Sequence, residues 1–145
     1  MARLVKTPDQ IEKIRQSAKI LAVILRKLKA ETKPGVKLWD LDKLARQLIE
    51  DTGAVPTFLG YRSEGSKISF PYALCLSVNE TIVHGRPSSY ILQSGDILKL
   101  DLGVNFQGGI SDAAITIPVG RVSKEARHLI DITKKALEEG IKATK

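Results

Sequence analysis

The sequence predicts an α+β fold in which an antiparallel β-sheet carries amphipathic helices packed on one face. Two opening stretches with apolar residues at helical spacing, a middle of short alternating runs bounded by turn residues, and a closing helical stretch predict it. The chain has 145 residues, the length of a single domain, and can bury roughly 68–70% of its unfolded surface.

The first helix is expected over about residues 8–30. Thr7-Pro8-Asp9-Gln10 supplies a hydroxyl N-cap, proline at the first helical position and Gln at the capping-box position. Ile11, Ile14, Ala18, Leu21, Ala22, Leu25 and Leu28 then form one apolar stripe, and Lys33-Pro34-Gly35 ends the helix. A second helix, about 38–52, turns Leu38, Leu41, Leu44, Ala45, Leu48 and Ile49 to one side and stops at Gly53. From Val55 the pattern becomes β-like, with Gly60, Gly65 and Pro71 marking a loop. One hairpin is expected over about 72–84, with Tyr72 to Val78 outgoing, a turn at Asn79-Glu80 and Thr81 to His84 returning. A second is expected over about 97–118, its strands joined by Asn105-Phe106-Gln107-Gly108-Gly109. Ser123 caps a last helix, about 123–143, with apolar Ala126, Leu129, Ile130, Ala136, Leu137 and Ile141.

Composition excludes several classes. A lone cysteine, Cys75, rules out an intramolecular disulfide framework and fits a reducing compartment. No apolar run approaches the roughly 20 residues of a membrane span, and the amino terminus lacks a secretory h-region, so the chain reads as cytoplasmic with no membrane partner. The net charge of +7 is localised: residues 1–46 hold 12 Lys and Arg against 5 Asp and Glu, whereas residues 47–145 hold 11 of each. Such a segment can meet RNA or another polyanion, or form the solvated faces of two helices; no interleaved aromatics accompany it. A shift of 112 residues lays the first helix over the last, Thr32-Lys33 falling on Thr144-Lys145, which hints at a fold of two similar halves.

The chemistry concentrates in Gly95-Asp96-Ile97-Leu98-Lys99-Leu100-Asp101-Leu102-Gly103, answered by Ile110-Ser111-Asp112-Ala113-Ala114. A hairpin symmetric about Phe106-Gln107 would set Asp101 directly opposite Asp112, with Cβ atoms about 4.5–5.5 Å apart, where like charges repel. A shared proton or bridging hard cations would offset that repulsion; two aspartates on a solvated sheet face is the other reading. Leu98, Leu100 and Leu102 would face the core. His84 has no partner evident in sequence, His128 has no assigned role, and Cys75 has no basic neighbour to activate it.

Ser77-Val78-Asn79-Glu80-Thr81-Ile82-Val83-His84-Gly85-Arg86-Pro87, followed by Gly95-Asp96-Ile97, Asp101-Leu102-Gly103 and Ser111-Asp112-Ala113, strongly resembles the type I methionine aminopeptidases. The resemblance runs from about Thr7 to Lys145; the two-aspartate hairpin is shared with creatinase and prolidase folds. It implies the amino-terminal half of a pita-bread fold, residues 1–145 forming one half-domain, and a metallopeptidase that removes initiator methionine from nascent chains. On that resemblance Asp101 is a bidentate metal ligand and Asp112 a bridging carboxylate of a two-metal site, the metal being Co, Mn, Fe or Zn. His84 hydrogen-bonds the scissile amide, and Tyr61, Phe70 and Cys75 line the methionine pocket, though all three also suit an ordinary core. Family members draw a further histidine and two glutamates from a second half, so this chain is expected to bind metal weakly and to have little activity alone. It would then act with a complementing second half or as a homodimer, with residues 1–46 available for ribosome contact. The alternative is a non-catalytic half-fold that self-associates or binds a protein or ribosomal RNA.

Overall fold

The computed structural model describes residues 5–144; residues 1–4 of the basic segment, and Lys145 at the end of the helix repeat, lie outside the described residues. Three helices and four strands follow in the order α1 (Pro8–Glu31), α2 (Leu38–Glu50), β1 (Val55–Pro56), β2 (Leu74–Val78), β3 (Ile97–Phe106), β4 (Gly109–Pro118) and α3 (Lys124–Ala143). The capping box of α1 is made in full: the Gln10 amide donates to Thr7 Oγ1, and the Thr7 amide donates to Gln10 Oε1.

The sheet is antiparallel and organised around β3. One edge of β3 pairs along its whole length with β4; the other is shared end to end by β2, opposite residues 98–102, and β1, opposite residues 104–105. Strict alternation buries Leu98, Leu100, Leu102 and Val104 completely. α1 lays Leu21, Ile24, Leu25 and Leu28 across this apolar face, and α2 adds Leu38, Leu41, Ala45 and Ile49. A polar rivet fixes α1 to the β3–β4 hairpin, where Ser17 Oγ donates to the Val104 carbonyl at 2.8 Å and lies 2.8 Å from Ser111 Oγ. Both serines are buried, so neither hydroxyl is left unpaired.

Two expectations are corrected. The first concerns the hairpin over 72–84: Thr81 to His84 does not return as a strand, and β2 pairs with β3 instead. Leu74, Leu76 and Ser77 of β2 are buried, whereas Ile82 and Val83 are exposed. Left-handed backbone at Asn79 (φ 48°) and His84 (φ 58°) bends the chain away from extended pairing.

The second correction concerns register. The β3–β4 turn is the two-residue loop Gln107-Gly108, with φ 51° and 83°, and the Gly108 amide donates to Asn105 Oδ1. Positive φ at both central residues matches strand twist and closes the hairpin on Phe106↔Gly109. Asp112 therefore pairs with Gly103 and Asp101 with Ala114, placing the two aspartates diagonally on one face instead of directly opposite.

α3 is capped by Ser123, which accepts from the Ala126 amide, but buries none of its residues. Leu129, Ile132, Leu137 and Ile141 are all exposed, so the packing on the sheet belongs to α1 and α2. No helix among the described residues is long and apolar enough to cross a membrane.

Gly109 marks the closest approach of α1 to the hairpin: a Cβ there would lie 2.3 Å from the Lys13 carbonyl carbon. The obstacle is helix backbone, which cannot rotate aside. Gly109→Ala should lower unfolding free energy by roughly 1–3 kcal/mol in chemical denaturation, as overpacking does.

Candidate metal and substrate site

The face of the sheet opposite α1 and α2 is built by the same alternation. With the leucines of β3 turned inward, Lys99, Asp101 and Gly103 turn outward. Cys75 pairs with Asp101, Ser77 with Lys99, and Asp112 with Gly103, so these side chains share that outer face.

Two backbone crossings roof it. At one end the Thr57 amide donates to the Gly103 carbonyl at 3.1 Å, and a Cβ on Gly103 would meet Thr57 Oγ1 at 2.0 Å. At the other, Gly85 lies on β2: the Leu76 amide donates to its carbonyl and its own amide donates to Ser77 Oγ, each at 2.9 Å. A Cβ on Gly85 would fall 2.2 Å from the Leu76 carbonyl oxygen, so glycine is needed for this contact. Between the crossings opens a cavity of about 740 Å³.

All six residues singled out from sequence line this cavity: Tyr61, Phe70, Cys75, His84, Asp101 and Asp112. Tyr61 is exposed at the mouth, Phe70 is half-buried with its ring edge-on to Tyr72 at 5.5 Å, and Cys75 is buried in the wall. Reciprocal backbone bonds, Gly60 to the Phe70 carbonyl and Phe70 to the Tyr61 carbonyl, hold the two aromatics on one loop. Thr57, Phe58, Ile68, Ile110 and Arg86 also line the cavity and were not among the sequence candidates. Arg86, two residues after His84, and Ile110, two residues before Asp112 on the same face of β4, carried a signal in the quoted runs; Thr57, Phe58 and Ile68 lie in the segment between β1 and β2, which carries no such pattern.

The electrostatics suit a cation. Burial pushes the Asp101 carboxyl above its ordinary value, and the Asp112 charge and a hydrogen bond with Asp112 push it further, with only His84 acting in the opposite direction. Neither aspartate forms an ion pair among the described residues. Two convergent carboxylates with unfavourable mutual charge are a fitting donor pair for a hard or borderline divalent cation. They are two donors only: no group of three or more His, Cys, Asp or Glu able to hold a metal occurs among the described residues. The Cys75 thiol is pushed up to about 11, by burial first and then by Asp101 and Asp112, and so stands as a neutral, polarizable wall.

Supporting bonds fix the elements that carry these groups. Asp42 of α2 accepts the Ala73 and Leu74 amides at 2.8 and 3.3 Å, tying down the start of β2 ahead of Cys75. Asp96, buried at the start of β3, accepts from Asn79 Nδ2, the Tyr90 hydroxyl and the Gln93 amide. Burial pushes its carboxyl up, but these three bonds outweigh it and hold it below the ordinary value. Asn79 Oδ1 accepts the Ile97 amide in return, so the loop leading to His84 leaves the sheet from a fixed point.

Comparison with known proteins agrees with this architecture. The sequence model of metallopeptidase family M24 matches residues 12–145. The methionine aminopeptidase of Treponema pallidum is 44% identical over 139 residues, which cover 96% of this chain and 52% of that protein. That of Aquifex aeolicus is 41% identical over 133 residues, 91% of this chain and 52% of the relative. The solved methionine aminopeptidase of Thermotoga maritima superposes with a TM-score of 0.90 at 37% identity, over 97% of this chain and 55% of that one. The chain thus spans about half the length of the relatives it matches, and its fold is the amino-terminal half of the pita-bread fold. Sequence and architecture together make the chain a member of metallopeptidase family M24.

Proposed function

We propose that residues 1–145 form one half of a methionine aminopeptidase, carrying two metal-binding carboxylates and the substrate pocket. The observation that carries this reading is the convergence of His84, Asp101, Asp112, Cys75, Phe70 and Tyr61 on one cavity. Asp101 and Asp112 would hold divalent cations, which when bound polarise a carbonyl and activate water. His84, on the same wall, hydrogen-bonds the scissile amide and offsets charge developing at its carbonyl. Cys75 stays protonated and, with Phe70, Phe58 and Ile68, offers apolar and polarizable surface to a methionine thioether; Tyr61 closes the mouth. The substrate is a nascent polypeptide beginning with methionine, in the cytoplasm, and the basic segment 1–46 is available for contact with the ribosome.

Completion of the ligand set requires a complementing second half or a second copy of this chain. A two-carboxylate set binds weakly, so residues 1–145 by themselves have little or no peptidase activity. A second reading, a non-catalytic half-fold that self-associates or binds a protein or RNA, is favoured by the bare apolar side of α3. Salt-sensitive RNA binding indifferent to Asp101→Asn and Asp112→Asn would support it over the peptidase half.

Three outcomes are expected. The 145-residue chain should release no measurable methionine from Met-Ala-Ser, with turnover appearing on addition of the second half from a relative; robust turnover by the single chain would overturn the incomplete-site reading. In calorimetric titration with Mn²⁺, Asp101→Asn or Asp112→Asn should each weaken binding at least about tenfold, the loss expected for removing a charged ligand. Affinity should also fall as pH drops through the raised carboxyl of Asp101, because the metal competes with its proton.

Without metal, the same shift works against the fold. A carboxyl held more tightly protonated in the native state favours folding where it is protonated, and that contribution is lost as pH rises through its raised folded value. Asp101→Asn should therefore raise Tm at neutral pH by a few degrees, the gain vanishing below the pH at which the unfolded carboxyl protonates; an equal gain at all pH values would contradict this origin.

A further inference from the structure

We propose that Ser77 is a positioning residue for His84, acting through Gly85, an inference that rests on the reading of the cavity as a metal and substrate site. Ser77 lies on the outer face of β2, two residues beyond Cys75, yet it is only 2% exposed because the His84–Gly85 segment crosses over it. Its hydroxyl accepts the Gly85 amide at 2.9 Å, while the Gly85 carbonyl accepts the Leu76 amide at 2.9 Å. The donor and the acceptor of a single residue are thus both fastened to one strand, which fixes the peptide plane on the carboxyl side of His84.

That clasp explains the conformation of His84. Its φ of 58° lies in the left-handed region, uncommon for non-glycine residues although His, like Asn and Asp, is enriched there. Such a residue persists only where its surroundings over-determine it. The other end of the segment is fixed at Asn79, whose amide donates to the Ile97 carbonyl, whose Oδ1 accepts the Ile97 amide, and whose carbonyl accepts from Lys99 Nζ. Between the two fixed ends, Ile82 and Val83 are exposed and supply no packing that could hold the histidine. The position of the imidazole on the cavity wall is therefore set by Gly85, and Gly85 is held by Ser77. Without the hydroxyl the Gly85 amide loses its acceptor, and the segment is free to relax to negative φ.

The test uses nuclear magnetic resonance on the 145-residue chain and its Ser77→Ala and Gly85→Ala variants. The second variant keeps the hydroxyl but drives a Cβ against the Leu76 carbonyl oxygen, releasing the clasp by a different route. In the parent chain a strong intraresidue HN–Hα contact at His84 reports positive φ, and Mn²⁺ added at the aspartates broadens the His84 ring signals. In Ser77→Ala, amide exchange at Gly85 should accelerate at least about tenfold, the intraresidue contact at His84 should weaken, and the Mn²⁺ broadening of its ring should drop several-fold. Amides of β3 should stay protected, and Mn²⁺ broadening at Asp101 and Asp112 should be unchanged. Gly85→Ala should reproduce the His84 changes. Unaltered Gly85 exchange in Ser77→Ala overturns the proposal, and so does faster exchange with an unaltered His84 contact and ring broadening, which would leave Ser77 a purely structural group. If Mn²⁺ broadens neither aspartate in the parent chain, the metal reading fails, and the clasp is then decided by Gly85 exchange and the His84 contact alone.

Discussion

The alternation of side chains along β3 is the constraint on which the rest of the structure depends. Leu98, Leu100, Leu102 and Val104 are fully buried on one side, and Asp101 lies on the other. Complete burial of each leucine or valine contributes roughly 1.5–3 kcal/mol, and slipping the strand by one residue would exchange these side chains with Lys99, Asp101 and Gly103. A carboxylate driven into an apolar core without a partner costs more than any one of those leucines contributes. Core and site are therefore specified by the same ten residues, and neighbouring strands inherit the choice: Cys75 and Ser77 on β2, and Asp112 on β4, turn outward because β3 does. The Ser17–Ser111 rivet reinforces it, since Ser111 can meet α1 only when Asp112 faces away.

A flat sheet face does not make a cavity. Here it becomes one because two segments cross it, Thr57-Phe58 over Gly103 and Gly85 over β2, at places where a missing Cβ leaves room for the contact. The crossings bring Thr57 and Phe58 to one side of the aspartates and His84 and Arg86 to the other. Backbone bonds hold both, so the width of the cavity is set by the main chain more than by rotamers. Tyr61, on the cavity lining, and the Ile82-Val83 tip of the loop leading to His84 are the exposed parts of these segments.

How far the sequence could be read follows from how local each signal is. Helix α1 was legible because its cap, proline and apolar period all lie within the segment, and the alternation in β3 was equally local. Register was not. Gly108 and Gly109 are both able to take positive φ after Gln107, so the local sequence leaves more than one turn open; in the structure positive φ falls on Gln107 and Gly108, and Gly109 is the first paired residue of β4, packed against the Lys13 backbone. The register differs by two residues, enough to move Asp112 from opposite Asp101 to diagonal but not to turn it to the other face. Thr81-Ile82-Val83 read as a strand because β-branched residues favour one, but β2 found a longer partner in β3, and left-handed Asn79 and His84 withdraw the segment. Asp101 and Asp112 stood out from the hairpin spacing, whereas the role of His84 and the choice of Tyr61, Phe70 and Cys75 came from motif resemblance; Thr57, Phe58 and Ile68 escaped because they lie between β1 and β2, in a segment without regular periodicity.

The two helices related by the 112-residue shift show what the aspartate pair also shows. α1 and α3 are both capped at the amino end and amphipathic, yet α1 buries Ser17, Leu21, Ile24, Leu25 and Leu28 while α3 buries nothing. Most of the stability of a helix in a protein comes from packing its amphipathic face. The apolar side of α3 is in this sense as unsatisfied as Asp101 and Asp112, which have repulsion between them and no cation partner among the described residues. These are deficits of different kinds, one of apolar contact and one of positive charge and further ligands. In a fold built of two similar halves, a single surface answers both: a second sheet that receives α3 as β3 and β4 receive α1 would turn its own outward-facing polar residues toward the same cavity. On the proposed reading, burial of α3 and completion of the ligand set are then a single event, so metal affinity and the stability of α3 should rise together when the complementing surface binds.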